Sequence, residues 1–154
     1  MRLFSDDLKQ GEEIPLVYAE SGAGGRNIVP QFSWDGVPDG TVGLALTCWD
    51  PDAPLEGGFW HWIALNLPAG LTSTRGGEPL PKGTVELTND YGYRGYGGPN
   101  PPHGQTHRYI FTIWALDVVA PELPEGATPA QVEELLKKHA LDSAELVPVF
   151  TSTI

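Results

Sequence analysis

A single cysteine, Cys48, rules out an internal disulfide framework in this chain of 154 residues. Its place between Thr47 and Trp49, inside an apolar run, predicts a buried and unreactive thiol. Basic residues are scarce. Nine Lys and Arg stand against 20 Asp and Glu, for a formal net charge of −11. That balance disfavours nucleic acid and anionic membrane surfaces as partners. No apolar run approaches the ~20 residues of a transmembrane span. Residues 1–10 lack the apolar core of an export signal, so the sequence points to the cytoplasm. There is no internal repeat. His103 and His107 stand at His-x-x-x-His spacing, but in a Gly/Pro loop and not on a helix whose one face seats zinc, and Ser33, Ser73, Ser143 and Ser152 lack a nucleophile-elbow context. No cofactor is expected.

What the chain does have is glycine and proline, 19 and 15 of them, dispersed among apolar segments that make up 40% of the sequence. This reads as one domain, 1–154, with a packed core and many turns. Residues 42–49, Phe59–Leu67 and 106–118 are apolar and β-favouring, and predict the main strands. Shorter strands are expected at 14–19, 32–34, 85–88 and, at an edge because Pro148 interrupts it, 146–151. One helix is clear. Thr128 caps it, Pro129 takes the first position, Gln131 completes a capping box, and Val132, Leu135, Leu136 and His139 follow at helical spacing. The fold class is therefore mostly β, with one short C-terminal helix and long Gly/Pro-rich loops.

Two of those loops carry chemistry. Asp50-Pro51-Asp52-Ala53-Pro54 precedes Trp60-His61-Trp62. Gly97-Gly98-Pro99-Asn100-Pro101-Pro102-His103-Gly104 precedes His107-Arg108-Tyr109. Stiff loops at the mouth of a sheet preorganise polar groups. By strand parity Phe59, His61, Ile63 and Leu65 share one face, and His107, Tyr109, Phe111 and Ile113 share another. A hairpin of 42–49 with Phe59–Leu67 places Asp50 and His61 at one end. His107 reaches that end only if its strand runs parallel to Phe59–Leu67; the opposite direction would separate the two histidines. Asp50, His61, His107 and Tyr109 would then converge on one cleft, with Pro54, Trp60, Gly98, Pro101 and Pro102 as its rim. Such a cleft suits a small anion or zwitterion, for example a phosphate monoester with an ammonium tail. The imidazoles would be the main donors, Tyr109 a supporting donor and Asp50 the orienter of a histidine. Arg108 points the other way by parity and reads as an ion-pair anchor.

These residues resemble the phosphatidylethanolamine-binding protein family, also called Raf kinase inhibitor-like, in its prokaryotic branch. The resemblance rests on the Asp50–Pro54 pentapeptide, on Trp60-His61-Trp62 ending in Asn66, and on Gly98 to Gly104 followed by His107-Arg108-Tyr109. Residues 27–34 add weaker support, with Val29 where a serine is usual, and Asn100 stands where prokaryotic members often carry cysteine. The resemblance implies a β-sandwich whose end pocket binds phosphate-like anions through Asp50, His61, His107 and Tyr109, and a cis peptide before Pro54. It further implies binding of a phospholipid head group and regulation of a protein partner through the pocket. The gating C-terminal helix of animal members has no match after Leu146.

Two rival readings use the same residues. Two histidines and an aspartate are also a ligand set for zinc or non-haem iron, so a small metal-dependent or acid–base hydrolase is the alternative. The tyrosines Tyr91, Tyr93 and Tyr96 either form a surface for a protein partner or pack their own loop down. Homodimerisation through exposed aromatics completes the expectations.

Overall fold

The computed structural model describes residues 1–153. The strands are β1 (Arg2–Phe4), β2 (Ser33–Asp35), β3 (Gly43–Asp50), β4 (Phe59–Leu67), β5 (Val85–Glu86), β6 (Thr106–Arg108), β7 (Ile110–Leu116), β8 (Ala140–Leu146) and β9 (Val149–Thr151), with one α-helix, α1 (Pro129–His139). Five strands form an antiparallel sheet in the order β5-β4-β3-β7-β8. Two antiparallel ribbons, β1-β2 and β6-β9, complete the β structure.

Both faces of the main sheet are covered. One carries Leu44, Leu46, Cys48, Trp62, Ala64, Phe111 and Ile113, packed with Leu3 and Trp34 of the first ribbon and Phe150 of the second. The other carries Ala45, Trp60, Ile63, Leu65, Trp114 and Leu116 against Val132 and Leu136 of α1. Sheet against ribbons is the sandwich that the family resemblance implied, and the helix closes the opposite side. Each fully buried aliphatic or aromatic side chain contributes roughly 1.5–3 kcal/mol. On the α1 side Trp114 Nε1 donates to Thr47 Oγ1 at 3.0 Å. Cys48 is 1% exposed and its thiol pKa is pushed up by burial.

The α1 capping box forms as its sequence predicts, with Thr128 and Gln131 bonding each other's backbone. Lys137, Lys138 and His139 fill the last turn, and His139 Nδ1 sits 2.9 Å from Asp117 Oδ1.

Three segments differ from expectation. Residues 14–19 are no strand: after Ile14 donates to Val149 O, Pro15 opens a one-turn 3-10 helix, Leu16–Tyr18. The segment 106–118 is two strands. Tyr109 donates its N–H to Pro148 O, and there the chain leaves β9 for the main sheet. The segment 146–151 divides at Val147-Pro148, and the strand before it, β8, carries no strand signal in its sequence. The sequence Ala-Leu-Asp-Ser-Ala-Glu-Leu lies at the sheet edge, where only Leu146 is buried, so it lacks the apolar alternation that announces a strand.

β3 pairs antiparallel with β4 on one side and with β7 on the other. β4 and β7 therefore run the same way with β3 between them. The condition set by the sequence is met through a shared middle strand. The end of β3, the start of β4 and the start of β7 all reach one pole.

Candidate functional site

At that pole lies a cavity of about 200 Å³. Asp50, His61, His107 and Tyr109 all line it, together with Pro54, Pro101 and Pro102. The side chains at this pole that the sequence singled out are thus brought together from β3, β4, β6 and the break between β6 and β7.

His61 arrives by a β-bulge. Cys48 faces Trp62 and Trp49 faces Trp60, so His61 has no partner on β3. An extra residue flips the parity of everything beyond it. Consequently His61 does not share a face with Ile63 and Leu65: those two pack under α1, while His61 turns to the cavity. The same bulge corrects the rim. Trp60 lies on the α1 side, its ring stacked on Trp49 at 5.7 Å, and does not line the cavity.

Gly98 is also displaced from the rim. Its backbone presses on residues 18–20, where a Cβ would meet Tyr18 O at 2.1 Å. Gly98 instead supports the wall: its N–H donates to Asn27 Oδ1 at 2.7 Å and its carbonyl accepts from Tyr91 Oη at 2.7 Å. Asn27 adopts φ 53°, the left-handed region, to make that reach. No cis peptide occurs among the described residues, so the Ala53–Pro54 bond is trans, against the family pattern. The chain reverses after Pro54 at Gly57 and Gly58, both at positive φ.

Asp50 and His107 form a buried pair, Oδ2 to Nδ1 at 2.7 Å, each side chain 4% exposed. Asp50 Oδ1 accepts the Asp52 N–H at 2.8 Å. Burial pushes the Asp50 carboxyl pKa up, against the opposing pull of these hydrogen bonds. Nε2 of His107 lies 2.8 Å from Gln105 Oε1. Both nitrogens of His107 are thus engaged within the protein. Asp52 takes Arg108 in a forked ion pair, with Nε at 3.0 Å and an Nη at 2.8 Å, which fixes its carboxyl at about 2. Arg108 is the anchor that its parity suggested.

His61 donates Nδ1–H to Gly97 O at 2.7 Å. Burial lowers its pKa to about 4, so the ring is neutral near pH 7 and Nε2 carries a lone pair. Neither histidine therefore keeps an uncommitted N–H, which changes the sequence picture of two imidazole donors. The donor left without a partner is Tyr109. Its side chain is 1% exposed and its hydroxyl makes no hydrogen bond. Burial holds its pKa far above the usual phenol value, so the proton stays.

Aromatic rings fix this geometry. His61 meets Tyr109 edge-on at 5.2 Å, Tyr91 at 5.5 Å and Phe59 at 4.7 Å. Phe59, Tyr91, Leu55 and Asn100 line the cavity without having been assigned to it from the sequence. Phe59 had a signal, since it lies two residues before His61 on one strand. Tyr91 had none, because its position depends on buried Asn89, whose Oδ1 accepts the Tyr91 N–H at 3.0 Å and whose Nδ2 donates to Gly95 O at 2.9 Å. The tyrosine loop mostly packs inward: Tyr96 is 9% exposed and donates to Tyr18 O at 2.8 Å. His103 is exposed. Among the described residues, no three His, Cys, Asp or Glu side chains are grouped as a metal ion requires. No described helix is long and apolar enough to cross a membrane.

The family model described as phosphatidylethanolamine-binding protein matches residues 4–151. UPF0098 protein YbhB of Escherichia coli K12 is 41% identical over 158 residues, spanning 98% of this chain and 100% of its own length. The crystal structure of E. coli YbcL, described as a new member of the mammalian PEBP family, aligns with TM-score 0.90 at 37% identity over 97% of each chain. CT736 of Chlamydia trachomatis, described as a homologue of the same family, aligns with TM-score 0.82 at 33% identity, over 97% of this chain and 95% of its own.

Proposed function

The chain belongs to the phosphatidylethanolamine-binding protein family, and on that premise we propose that its cavity receives a small oxyanion that carries its own proton. A phosphate monoester in its singly charged form, free or as the terminal phosphate of a phosphatidic acid, is the type, since a phosphodiester head group carries no such proton. The observation that carries this reading is the Tyr109 hydroxyl, buried at the cavity and bonded to nothing. A buried unpaired hydroxyl costs about 1–3 kcal/mol, which a ligand oxygen accepting its proton would recover.

The proton on the ligand follows from His61. A fully deprotonated anion would meet the Nε2 lone pair. Recharging His61 from its pKa of about 4 to above neutrality would cost about 4 kcal/mol. A ligand hydroxyl donating to Nε2 avoids that cost. Asp50 is already paired with His107, so its charge does not face the anion alone. Aromatic and proline side chains line the cavity around these few polar groups.

Thermal stabilisation by inorganic phosphate and by phosphoethanolamine tests the reading. At a hundredfold excess over Kd, about 2.7 kcal/mol of stabilisation is expected. It should vanish in His61→Ala and in His107→Ala. Full stabilisation in both variants would place the anion elsewhere and sink the proposal. Equal response to the two probes identifies the phosphate as the recognised part; a response to phosphoethanolamine alone identifies the zwitterion.

A further inference from the structure

Gln105 is an exposed residue outside the cavity lining, yet it holds one end of a polar chain that runs into the buried Asp50–His107 pair. That chain runs Gln105 Oε1, His107 Nε2, His107 Nδ1, Asp50 Oδ2, with steps of 2.8 and 2.7 Å. Asp50 Oδ1 continues it to the Asp52 N–H. In its ionised form the Asp50 carboxylate at the inner end only accepts, one oxygen from the Asp52 N–H and the other from His107. The amide oxygen at the outer end can only accept. A neutral imidazole has one N–H and one lone pair, so it would set that lone pair against one of two oxygens. The ring that satisfies both ends donates from both nitrogens, and that ring is the imidazolium.

We propose that Gln105 is a specificity-setting residue, holding His107 as the double donor that neutralises Asp50 and so lets an anion enter a cavity in an acidic protein. The role of Gln105 in anion entry rests on the oxyanion reading above; its effect on His107 does not. The charged and titratable groups around His107 are consistent with a cationic ring. Asp50 bonds it, and Asp52 feels its field from the β3 side. His61 on β4 is neutral near pH 7, so it adds no competing positive charge. Arg108, the next residue, is turned away onto Asp52. Gln105 touches no ligand-facing surface; it acts through His107 and is a positioning residue. A reversed amide would instead present its NH₂ to a neutral ring, and the cavity would then keep the unbalanced charge of Asp50.

Histidine ¹⁵N spectra of the whole protein at pH 7 distinguish these states. The imidazolium shows both His107 nitrogens protonated. Gln105→Leu removes the outer acceptor, and Nε2 of His107 should lose its proton. Gln105→Glu keeps an acceptor and should restore the double-donor spectrum. A merely structural residue would leave these signals unmoved. In parallel, affinity for inorganic phosphate by calorimetry should fall roughly tenfold in Gln105→Leu, the worth of one charge-linked hydrogen bond. A singly protonated His107 in the unmodified protein, or an unchanged spectrum in Gln105→Leu, overturns the proposal even if phosphate binds. The expected spectra with no phosphate binding in any form leave Gln105's hold on His107 standing and remove the anion reading instead. The expected spectra with equal phosphate affinity in Gln105→Leu overturn its role in anion entry.

Discussion

Tyr109 and His61 set opposite demands on the folded protein. Tyr109→Phe deletes a hydroxyl that has no partner, so the ligand-free protein should be unchanged or more stable by up to about 1–3 kcal/mol. The same change should weaken phosphate binding, and urea melts with and without phosphate would show the two effects with opposite sign. His61 is kept neutral by burial, its pKa lowered from 6.5 to about 4. The unfolded chain therefore takes up a proton on this residue that the folded chain refuses. Stability from His61 is full above pH 6.5 and is lost as pH falls toward 4, by about 3 kcal/mol. Asp50, with its pKa raised by burial, acts in the reverse direction. Comparing the pH slope of unfolding in the parent and in His61→Asn isolates the histidine; equal slopes would refute its neutral state. The identity of these residues was legible because His, Asp and Tyr beside Gly/Pro loops are chemically conspicuous. Their protonation was not legible, because Gly97 O and Gln105 Oε1 become partners only through the fold.

At the level of elements, the strands with strong apolar content, β3 and β4, and the capped helix α1 could be read in advance. What the sequence concealed was a single inserted residue. The bulge at His61 leaves no mark in composition, yet it sends Trp60 to the helix side and His61 to the cavity. β8 was hidden for a different reason, since an edge strand of small and acidic residues lacks periodic contrast. Two elements invite direct tests. Leu136 on α1 is fully buried, and Leu136→Ala should cost about 2–5 kcal/mol in a thermal melt without altering phosphate affinity. Gly98→Ala drives a Cβ into Tyr18 O and should dislodge the carbonyl that holds Tyr91. Calorimetry should then show phosphate binding reduced about tenfold, the worth of one lost polar contact in the wall. Intact binding in Gly98→Ala would mean that the Tyr91 wall is dispensable.

On the scale of the whole molecule, a net charge of −11 surrounds a cavity proposed for an anion. Long-range repulsion then opposes entry, and ions screen it over about 10 Å at 0.1 M. Phosphate should bind as well or better when ionic strength rises from low to physiological, provided that the added anion is too large for the cavity. A steep loss of affinity with salt would instead indicate surface attraction, which this charge distribution does not provide. The last strand has a different bearing on the molecule. β9 pairs with β6, setting Phe150 opposite His107, and Gly104 donates its N–H to Ser152 O. The tail of the chain thus backs the ledge on which His107 stands. Occupancy of the cavity should slow amide exchange along β9, and Phe150→Ala should loosen the receptor while leaving the helix side untouched.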